Sequence, residues 1–216
     1  MPGKQRHYEI WIGNQGSGKT HQLRRRARLL AANSRVDCVL ICDRLNEWGD
    51  FERLQARVYN HYADFVGDMG EGIPRVAIFQ LGVDADAYDL VLLWAVRQGN
   101  CAVLLDEAYA FAPSGSTWRG SDVLQRIVFS GRHLSNEIGE ECVTHLLIGA
   151  QYARTMDHSL WEQARVIMCG RVEGKTQEQW IRENFGEEKW ASVKRLGEHE
   201  WTALRGSRPA LGANRW

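Results

Sequence analysis

The sequence lacks a long apolar run: no stretch approaches the roughly 18 apolar residues that a membrane-spanning helix needs. The basic residues near the start, Lys4, Arg6 and His7, are not followed by an apolar segment, so we expect no secretory signal. Basic and acidic residues are equal in number, at 27 each. This balance argues against a uniformly basic surface but leaves local basic patches open. We therefore expect a cytoplasmic protein with no transmembrane segment of its own.

Cysteine is scarce and has no metal-binding spacing. The five cysteines are scattered and odd in number, which argues against a zinc site and a disulfide framework. They are Cys38, Cys42, Cys101, Cys142 and Cys169. Most lie inside apolar runs, which indicates buried, reduced thiols. With no internal repeat and 216 residues, we expect one domain over 1–204 and a flexible tail rich in Arg, Gly and Pro over 205–216.

What the sequence does contain is a phosphate-binding loop with the pattern G-x-x-x-x-G-K-T. Its residues are Gly13, Asn14, Gln15, Gly16, Ser17, Gly18, Lys19 and Thr20. The segment 8–12 before it is typical of a strand and the segment 21–32 after it of a helix, which is the context that this motif requires. Backbone N–H groups and the helix N-terminus would hold phosphates, Lys19 would reach the β- and γ-phosphates, and the Thr20 hydroxyl would bind Mg²⁺. The loop predicts a site for ATP and Mg²⁺.

Buried strands alternate with helices along the chain, which predicts an α/β fold with a mostly parallel central sheet. The strands are predicted at 36–43, 76–81, 101–106, 145–149, 165–169 and 200–204. Helices are predicted at 86–98, from 121 or 122 onward, and at 187–196, and a T-x-x-Q capping box at Thr176 and Gln179 predicts one more. Ligands collect at the carboxyl ends of the strands in such sheets.

Two acids end the apolar strand at 101–106. Asp106 is predicted to help to hold Mg²⁺, and Glu107 to polarise the water that attacks the γ-phosphate. Acids that merely end a strand at the surface are the alternative, but the phosphate-binding loop in the same sheet favours the catalytic interpretation. A tandem acid pair favours hydrolysis over phosphoryl transfer to a small acceptor.

Three further polar residues are candidates near the phosphates. Gln151 follows the strand at 145–149, where its amide could contact both the γ-phosphate and the attacking water; a solvated Gln in a turn is the alternative. Arg132 could complete a neighbouring subunit's site as an arginine finger, or could simply complement the charge of a helix C-terminus. Arg154 is the alternative finger.

Other arginines and aromatic residues carry weaker signals. Trp118 and Arg119 lie in a Gly/Ser-rich loop that could contact DNA by stacking and by charge, although an ordinary exposed loop is the simpler explanation. The arginines at 24, 25, 26 and 28 are most simply the solvated face of the first helix.

The pattern resembles the HerA–FtsK superfamily of DNA-pumping ATPases. The matching stretches are Gly13–Thr20, 104–107, 131–133, 146–151 and 165–172. Ala150 stands where that family usually has Thr, and Tyr152 where it usually has Arg, so the finger assignment stays open between Arg132 and Arg154. A chain of this size without a membrane anchor looks most like the genome-packaging ATPases of tailless, membrane-containing icosahedral viruses.

The resemblance implies a three-layer P-loop NTPase of the additional-strand, catalytic-glutamate type, in which the strand before Gln151 lies between the phosphate-loop strand and the strand before Asp106. It also implies a pentameric or hexameric ring that moves double-stranded DNA, in the host cytoplasm or the virion, with a capsid vertex or viral membrane protein as a further partner. Another DNA-transfer or phage-assembly ATPase, a nucleotide or small-molecule kinase, and a nucleotide-gated scaffold are the alternatives.

Overall fold

Eight strands form the sheet in the computed structural model, which describes residues 7–48, 52–70, 72–82, 84–107, 109, 111, 121–129 and 145–206. The strands are β1 (His7–Ile12), β2 (Cys38–Asp43), β3 (Arg57–Tyr59), β4 (Val76–Phe79), β5 (Cys101–Asp106), β6 (His145–Ala150), β7 (Val166–Gly170) and β8 (Trp201–Arg205). The helices of this part of the chain are α1 (Lys19–Ala31), α2 (Tyr62–Asp68), α3 (Ala85–Gln98), α4 (Asp122–Phe129), α5 (His158–Gln163), α6 (Lys175–Phe185) and α7 (Glu187–Lys194). None of the described helices is both long and apolar enough to cross a bilayer.

The strand order is β3-β4-β2-β5-β6-β1-β7-β8, and all neighbouring strands are parallel except β7 and β8. The strand β6 lies between β1, which leads into the phosphate-binding loop, and β5, which ends at Asp106. This confirms the predicted α/β class and the inserted strand. The parallel register sets Asp43 beside Asp106, so the strand-end acids share one edge of the sheet.

Helices cover both faces of the sheet, which confirms the three layers. Every residue of β2 and of β5 is buried, as the continuous apolar runs predict for strands covered on both sides. On one face, α1 packs its buried stripe of Leu23, Ala27 and Leu30 against the sheet. The helices α2 to α7 contribute to the core on the other face. The loop between β1 and α1 is thereby held on a rigid frame.

The structure differs from the sequence-based prediction at two places near the end of the domain. Helix α6 begins at Lys175 after Gly174, and Thr176 makes no capping hydrogen bond, so the predicted capping box is wrong. Strand β8 runs to Arg205, whose guanidinium donates to the backbone carbonyls of Trp161 and Glu162, at 2.8 and 2.9 Å. Arg205 therefore belongs to the sheet and not to the tail; 207–216 lie outside the described residues.

A buried charge cluster ties α1 to β1 at the amino end of the sheet. Glu9 is fully buried, and its Oε1 is contacted by the guanidinium of Arg26 and the ring of His7, while its Oε2 accepts from Trp11 Nε1 at 3.1 Å. Burial lowers the pKa of Arg26 to about 10, still far above neutral pH. Arg26 is only 5% exposed, so assigning it to a solvated face was wrong.

Changing Glu9 to Gln should lower the free energy of unfolding by about 3–5 kcal/mol, because the isosteric amide leaves the buried Arg26 charge uncompensated. Equilibrium unfolding in urea measures this change.

Glu178→Gln is the matched control, because Glu178 makes an exposed ion pair with Arg182 at 2.8 Å. Removing that pair should cost at most about 1 kcal/mol. If Glu9→Gln costs no more than this control, the Glu9 cluster does not hold α1 to the sheet.

Candidate nucleotide-binding site

Two glycines shape the loop between β1 and α1. Gly16 and Gly18 have φ values of 79° and 82°, a left-handed backbone that glycine adopts without a Cβ clash. Gly18 directly precedes α1, so the loop opens onto a helix N-terminus, where backbone N–H groups favour phosphate. The Gly13 N–H donates to the Ala150 carbonyl at 3.1 Å, which anchors the loop to the end of β6. The loop is thus a rigid cradle at the carboxyl edge of the sheet.

A cavity of about 230 Å³ lies over this loop. It is lined by Asn14, Gln15, Gly16, Gly18, Lys19, Thr20, His21, Glu47 and Gln151. Asn14 Oδ1, of a residue that lines the cavity, is buried without a hydrogen-bond partner among the described residues. Buried polar atoms are rarely left unpaired, so this oxygen indicates where a polar ligand would bind.

The predicted lysine and both predicted acids meet below this cavity. Lys19 Nζ forms an ion pair with Glu107 Oε1 and lies 3.8 Å from Asp106 Oδ1, and all three side chains are buried. Thr20 Oγ1 lies 3.2 Å from Asp106 Oδ2. Glu107 has a φ of 72°, an uncommon conformation for a residue with a Cβ that recurs at functional sites. The fold therefore joins the two sequence motifs into one site.

The charge of this cluster is suited to a divalent cation. Burial raises the pKa of Asp106, and the charge of Glu47 raises it further, while Lys19 and the hydrogen bonds from Trp48 and Thr20 lower it. Asp106 Oδ1 and Glu107 Oε2 are buried without a hydrogen-bond partner in the described part of the chain. Mg²⁺ is commonly bound through one or two carboxylates together with substrate phosphates. Thr20 and Asp106 fit that arrangement.

Two residues of this site were not predicted from the sequence. Glu47 lies in the loop after β2, where its Oε2 is 3.2 Å from Thr20 Oγ1. Trp48 is buried, and its indole N–H donates to Asp106 Oδ2 at 2.9 Å. The same signal that singled out Asp106, an acid at the carboxyl end of a buried strand, was present at Asp43 and could have drawn attention to this loop.

The remaining candidates have different outcomes. Gln151 directly follows β6, is partly buried and lines the cavity, so the fold brings it to the phosphate-binding loop. Arg154 is exposed and pairs with Glu183 of its own chain at 3.2 Å. Arg132, Trp118 and Arg119 lie outside the described residues.

His199, in the turn before β8, and Trp201, the first residue of β8, also lie close to the loop. A Cβ on Gly18 would lie 2.9 Å from His199 Nδ1, and one on Gly13 would lie 3.2 Å from the Trp201 ring. Neither contact could be predicted from the sequence, because both depend on the pairing of the antiparallel strand β8 with β7.

Solved structures with the same architecture include the genome packaging NTPase B204 of Sulfolobus turreted icosahedral virus 2 in complex with ATP-gammaS. It superposes with a TM-score of 0.70 at 16% identity over 92% of this chain and 91% of that chain. The chain has the fold of a P-loop NTPase. The DNA-packaging ATPase B204 of Sulfolobus turreted icosahedral virus matches with a TM-score of 0.67 at 16% identity, over 94% of this chain and 98% of that one.

These neighbours confirm the expected structural resemblance to viral packaging ATPases. At such low identity the likeness establishes the P-loop NTPase fold and not the work that the fold performs. The N-terminal domain of zonular occludens toxin from Neisseria meningitidis matches less well, with a TM-score of 0.41 at 14% identity over 76% of each chain. No protein-family model and no curated protein matches the sequence.

Changing Gly149 to Ala should crowd Leu23 and displace Asp106 of the site. A Cβ at this position of β6 would lie 2.8 Å from Leu23 Cδ1 and 2.9 Å from Asp106 Oδ1. We expect a loss of about 1–3 kcal/mol in the free energy of unfolding from overpacking, together with weaker Mg·ATP binding because Asp106 is displaced. Chemical denaturation and calorimetric titration measure the two effects.

Gly67→Ala is the control, since a Cβ there meets nothing within 4 Å and the position is inside α2. It should be neutral or stabilising by up to about 1 kcal/mol. Full stability and unchanged binding in Gly149→Ala would mean that β6 does not constrain Asp106.

Proposed function

We propose that the protein is an ATP-hydrolysing motor that assembles into a ring and moves double-stranded DNA, in the packaging of a viral genome. The observation that carries the proposal is the convergence of Lys19, Thr20, Asp106 and Glu107 beneath a cavity lined by Gln151. A nucleotide bound there would meet a binding loop, a cation site and a carboxylate suited to activating water. The likeness in fold to two viral packaging ATPases supports the work on DNA.

The chain's own residues suggest how hydrolysis would proceed. When ATP binds, Lys19 exchanges its Glu107 partner for phosphate oxygens, and the released carboxylate can accept a proton from the attacking water. Mg²⁺, held at Thr20 and Asp106, would neutralise charge on the phosphates. Gln151 would orient the water and sense whether the γ-phosphate is present. The Lys19–Glu107 ion pair thus keeps the base occupied until a nucleotide arrives.

The remainder of the proposal concerns the assembly. An arginine from the next subunit, Arg132 with Arg154 as the alternative, would complete each site and make hydrolysis depend on a pentameric or hexameric ring. Trp118 and Arg119 are the candidate DNA contacts. The motor would act in the host cytoplasm or the virion and dock on a capsid vertex or a viral membrane protein.

The test is phosphate release measured against protein concentration, with and without double-stranded DNA and with no other acceptor. We expect the rate per subunit to rise with concentration as rings form, and to rise again with DNA. Glu107→Gln should keep ATP binding but reduce turnover by at least about 100-fold, because the general base is lost.

Three outcomes would contradict the proposal in different ways. Negligible release under all conditions with tight ATP binding would identify a nucleotide-gated scaffold. Phosphate transfer to a small acceptor, with no effect of DNA, would identify a kinase. Unchanged hydrolysis in Glu107→Gln would show that Glu107 is not the general base, and would leave the rest of the proposal unaffected.

Arg132→Ala should act in trans. If Arg132 serves the neighbouring site, a wild-type subunit that relies on this variant should lose activity, while the variant's own site should be completed by a wild-type neighbour. Mixing Arg132→Ala with Glu107→Gln, each nearly inactive alone, should therefore restore activity, because the Glu107→Gln subunit still donates its arginine. An arginine finger contributes about 10³–10⁵ in kcat, so each affected site should be nearly inactive.

Arg154→Ala is the matched control, because this side chain is occupied by Glu183 of its own chain at the surface. Arg154→Ala should keep the activity of the wild-type protein, both alone and at every ratio of mixing with it. An Arg132→Ala variant that stays active, together with an Arg154→Ala variant that is inactive alone but regains activity when mixed with Glu107→Gln, would move the finger to Arg154.

A further inference from the structure

We propose that residues 43–48, here called the β2 arm, position the cation of Mg·ATP, with Glu47 as an additional carboxylate directed at the cation and Trp48 as the positioning residue for Asp106. This inference rests on the proposed ATP site and adds to it a part that neither sequence motif contains. The inference rests on hydrogen bonds that attach the arm to Asp43 of β2 and on those that join its side chains to Thr20 and Asp106.

The arm is braced by the carboxylate of Asp43, the last residue of β2. Asp43 is 1% exposed, and its Oδ1 accepts the Glu47 N–H at 2.9 Å. Its Oδ2 accepts the Trp48 N–H at 3.1 Å and the Gln80 side-chain amide at 2.8 Å. One buried carboxylate thereby satisfies the backbone of both residues that reach the site. The turn from Asp43 to Trp48 is therefore formed by hydrogen bonds from backbone N–H groups that do not involve the side chains of Glu47 and Trp48.

Trp48 links the β2 arm to Asp106. Its indole N–H donates to Asp106 Oδ2 at 2.9 Å, and this oxygen also lies 3.2 Å from Thr20 Oγ1. The indole is buried and donates but cannot accept. It therefore stabilises the ionised carboxylate and fixes the oxygen that faces Thr20. Asp106 Oδ1 has no hydrogen-bond partner among the described residues, and Lys19 Nζ lies 3.8 Å from it.

Glu47 competes with Asp106 for the same hydroxyl. Thr20 Oγ1 lies 3.2 Å from a carboxylate oxygen of each acid, but a hydroxyl has one proton and can donate to only one of them at a time. Two carboxylates sharing one donor repel each other, and a cation beside Thr20 would relieve that repulsion. Unlike Asp106, Glu47 is exposed and lines the cavity, so it can reach a cation that arrives with a nucleotide.

Arg24 of α1 holds the arm against the helix that carries Thr20. Its guanidinium donates to the Glu47 backbone carbonyl, and it lies 5.8 Å from the centroid of the Trp48 ring, within the range of a cation–π contact. The arm is therefore tied both to the sheet and to α1. The backbone of Glu47 and Trp48 therefore cannot shift without disturbing the phosphate-binding helix or the end of β2.

The experiment measures how strongly Mg²⁺ and the nucleotide assist each other. The β,γ-imido analogue of ATP is titrated calorimetrically in excess Mg²⁺ and in EDTA, and the ratio Kd(EDTA)/Kd(Mg) is compared between variants. Glu47→Gln should lower this ratio about tenfold, the loss expected for one charge-assisted contact. Its Kd in EDTA should be unchanged or tighter, because a carboxylate facing the triphosphate has been removed.

Weaker binding of the analogue in Mg²⁺, without weaker binding in EDTA, separates the proposal from simple loss of structure. Loss of structure would weaken binding in both buffers. Trp48→Phe should also lower the ratio about tenfold, since it removes one hydrogen bond to a charged group. The matched controls are Glu188→Gln, exposed on α7, and Trp94→Phe, whose indole contacts Met69 on the far side of the fold. Both controls should keep the wild-type ratio.

If Glu47→Gln keeps a ratio within twofold of wild type, the proposal is overturned even if Trp48→Phe fails to fold. Loss of turnover in Glu47→Gln with an unchanged ratio would also overturn it, by making Glu47 part of the hydrolytic step. Absence of Mg²⁺-dependent binding in the wild-type protein would instead contradict the proposed function itself.

Discussion

The site depends on an imbalance of charge that the fold buries. Lys19 faces the carboxylates of Asp106 and Glu107, and all three are almost completely removed from water. Burying ions is costly unless they are paired, and within the described residues Lys19 is the cation that contacts both acids. Burial raises the pKa of Asp106, so its negative charge is disfavoured where the fold places it. A metal ion bound beside Asp106 would stabilise that negative charge, so the fold favours the binding of a cation there.

The sheet order explains how residues distant in sequence share this charge. Because β6 is inserted between β1 and β5, the loop after β1 must reach across the end of β6 to meet Asp106. Because Gly149 has no Cβ, the side chains of Leu23, Lys19 and Asp106 can meet beside it. The inserted strand also delivers Gln151 to the rim of the cavity. One topological feature thereby sets both the spacing of the charged residues and the position of the amide.

Local signals predicted the strands and the two motifs, because a buried parallel strand needs a continuous apolar run and a phosphate loop needs glycine at fixed positions. Contacts made across the fold were not predictable. Arg26 looks solvent-exposed in a run of arginines until Glu9 is known to lie beneath it. Trp48 resembles a core residue until Asp106 is known to face it. The capping box failed because Gly174, and not Thr176, precedes the first turn of α6.

The edge strand β8 connects the phosphate-binding loop to the end of α5. Trp201 packs under Gly13 and against Gly170, and Arg205 is clamped to the backbone carbonyls at the end of α5. A displacement of β8 along its pairing with β7 would therefore move the Trp201 ring that lies beside Gly13, so the phosphate-binding loop is coupled to this edge of the sheet.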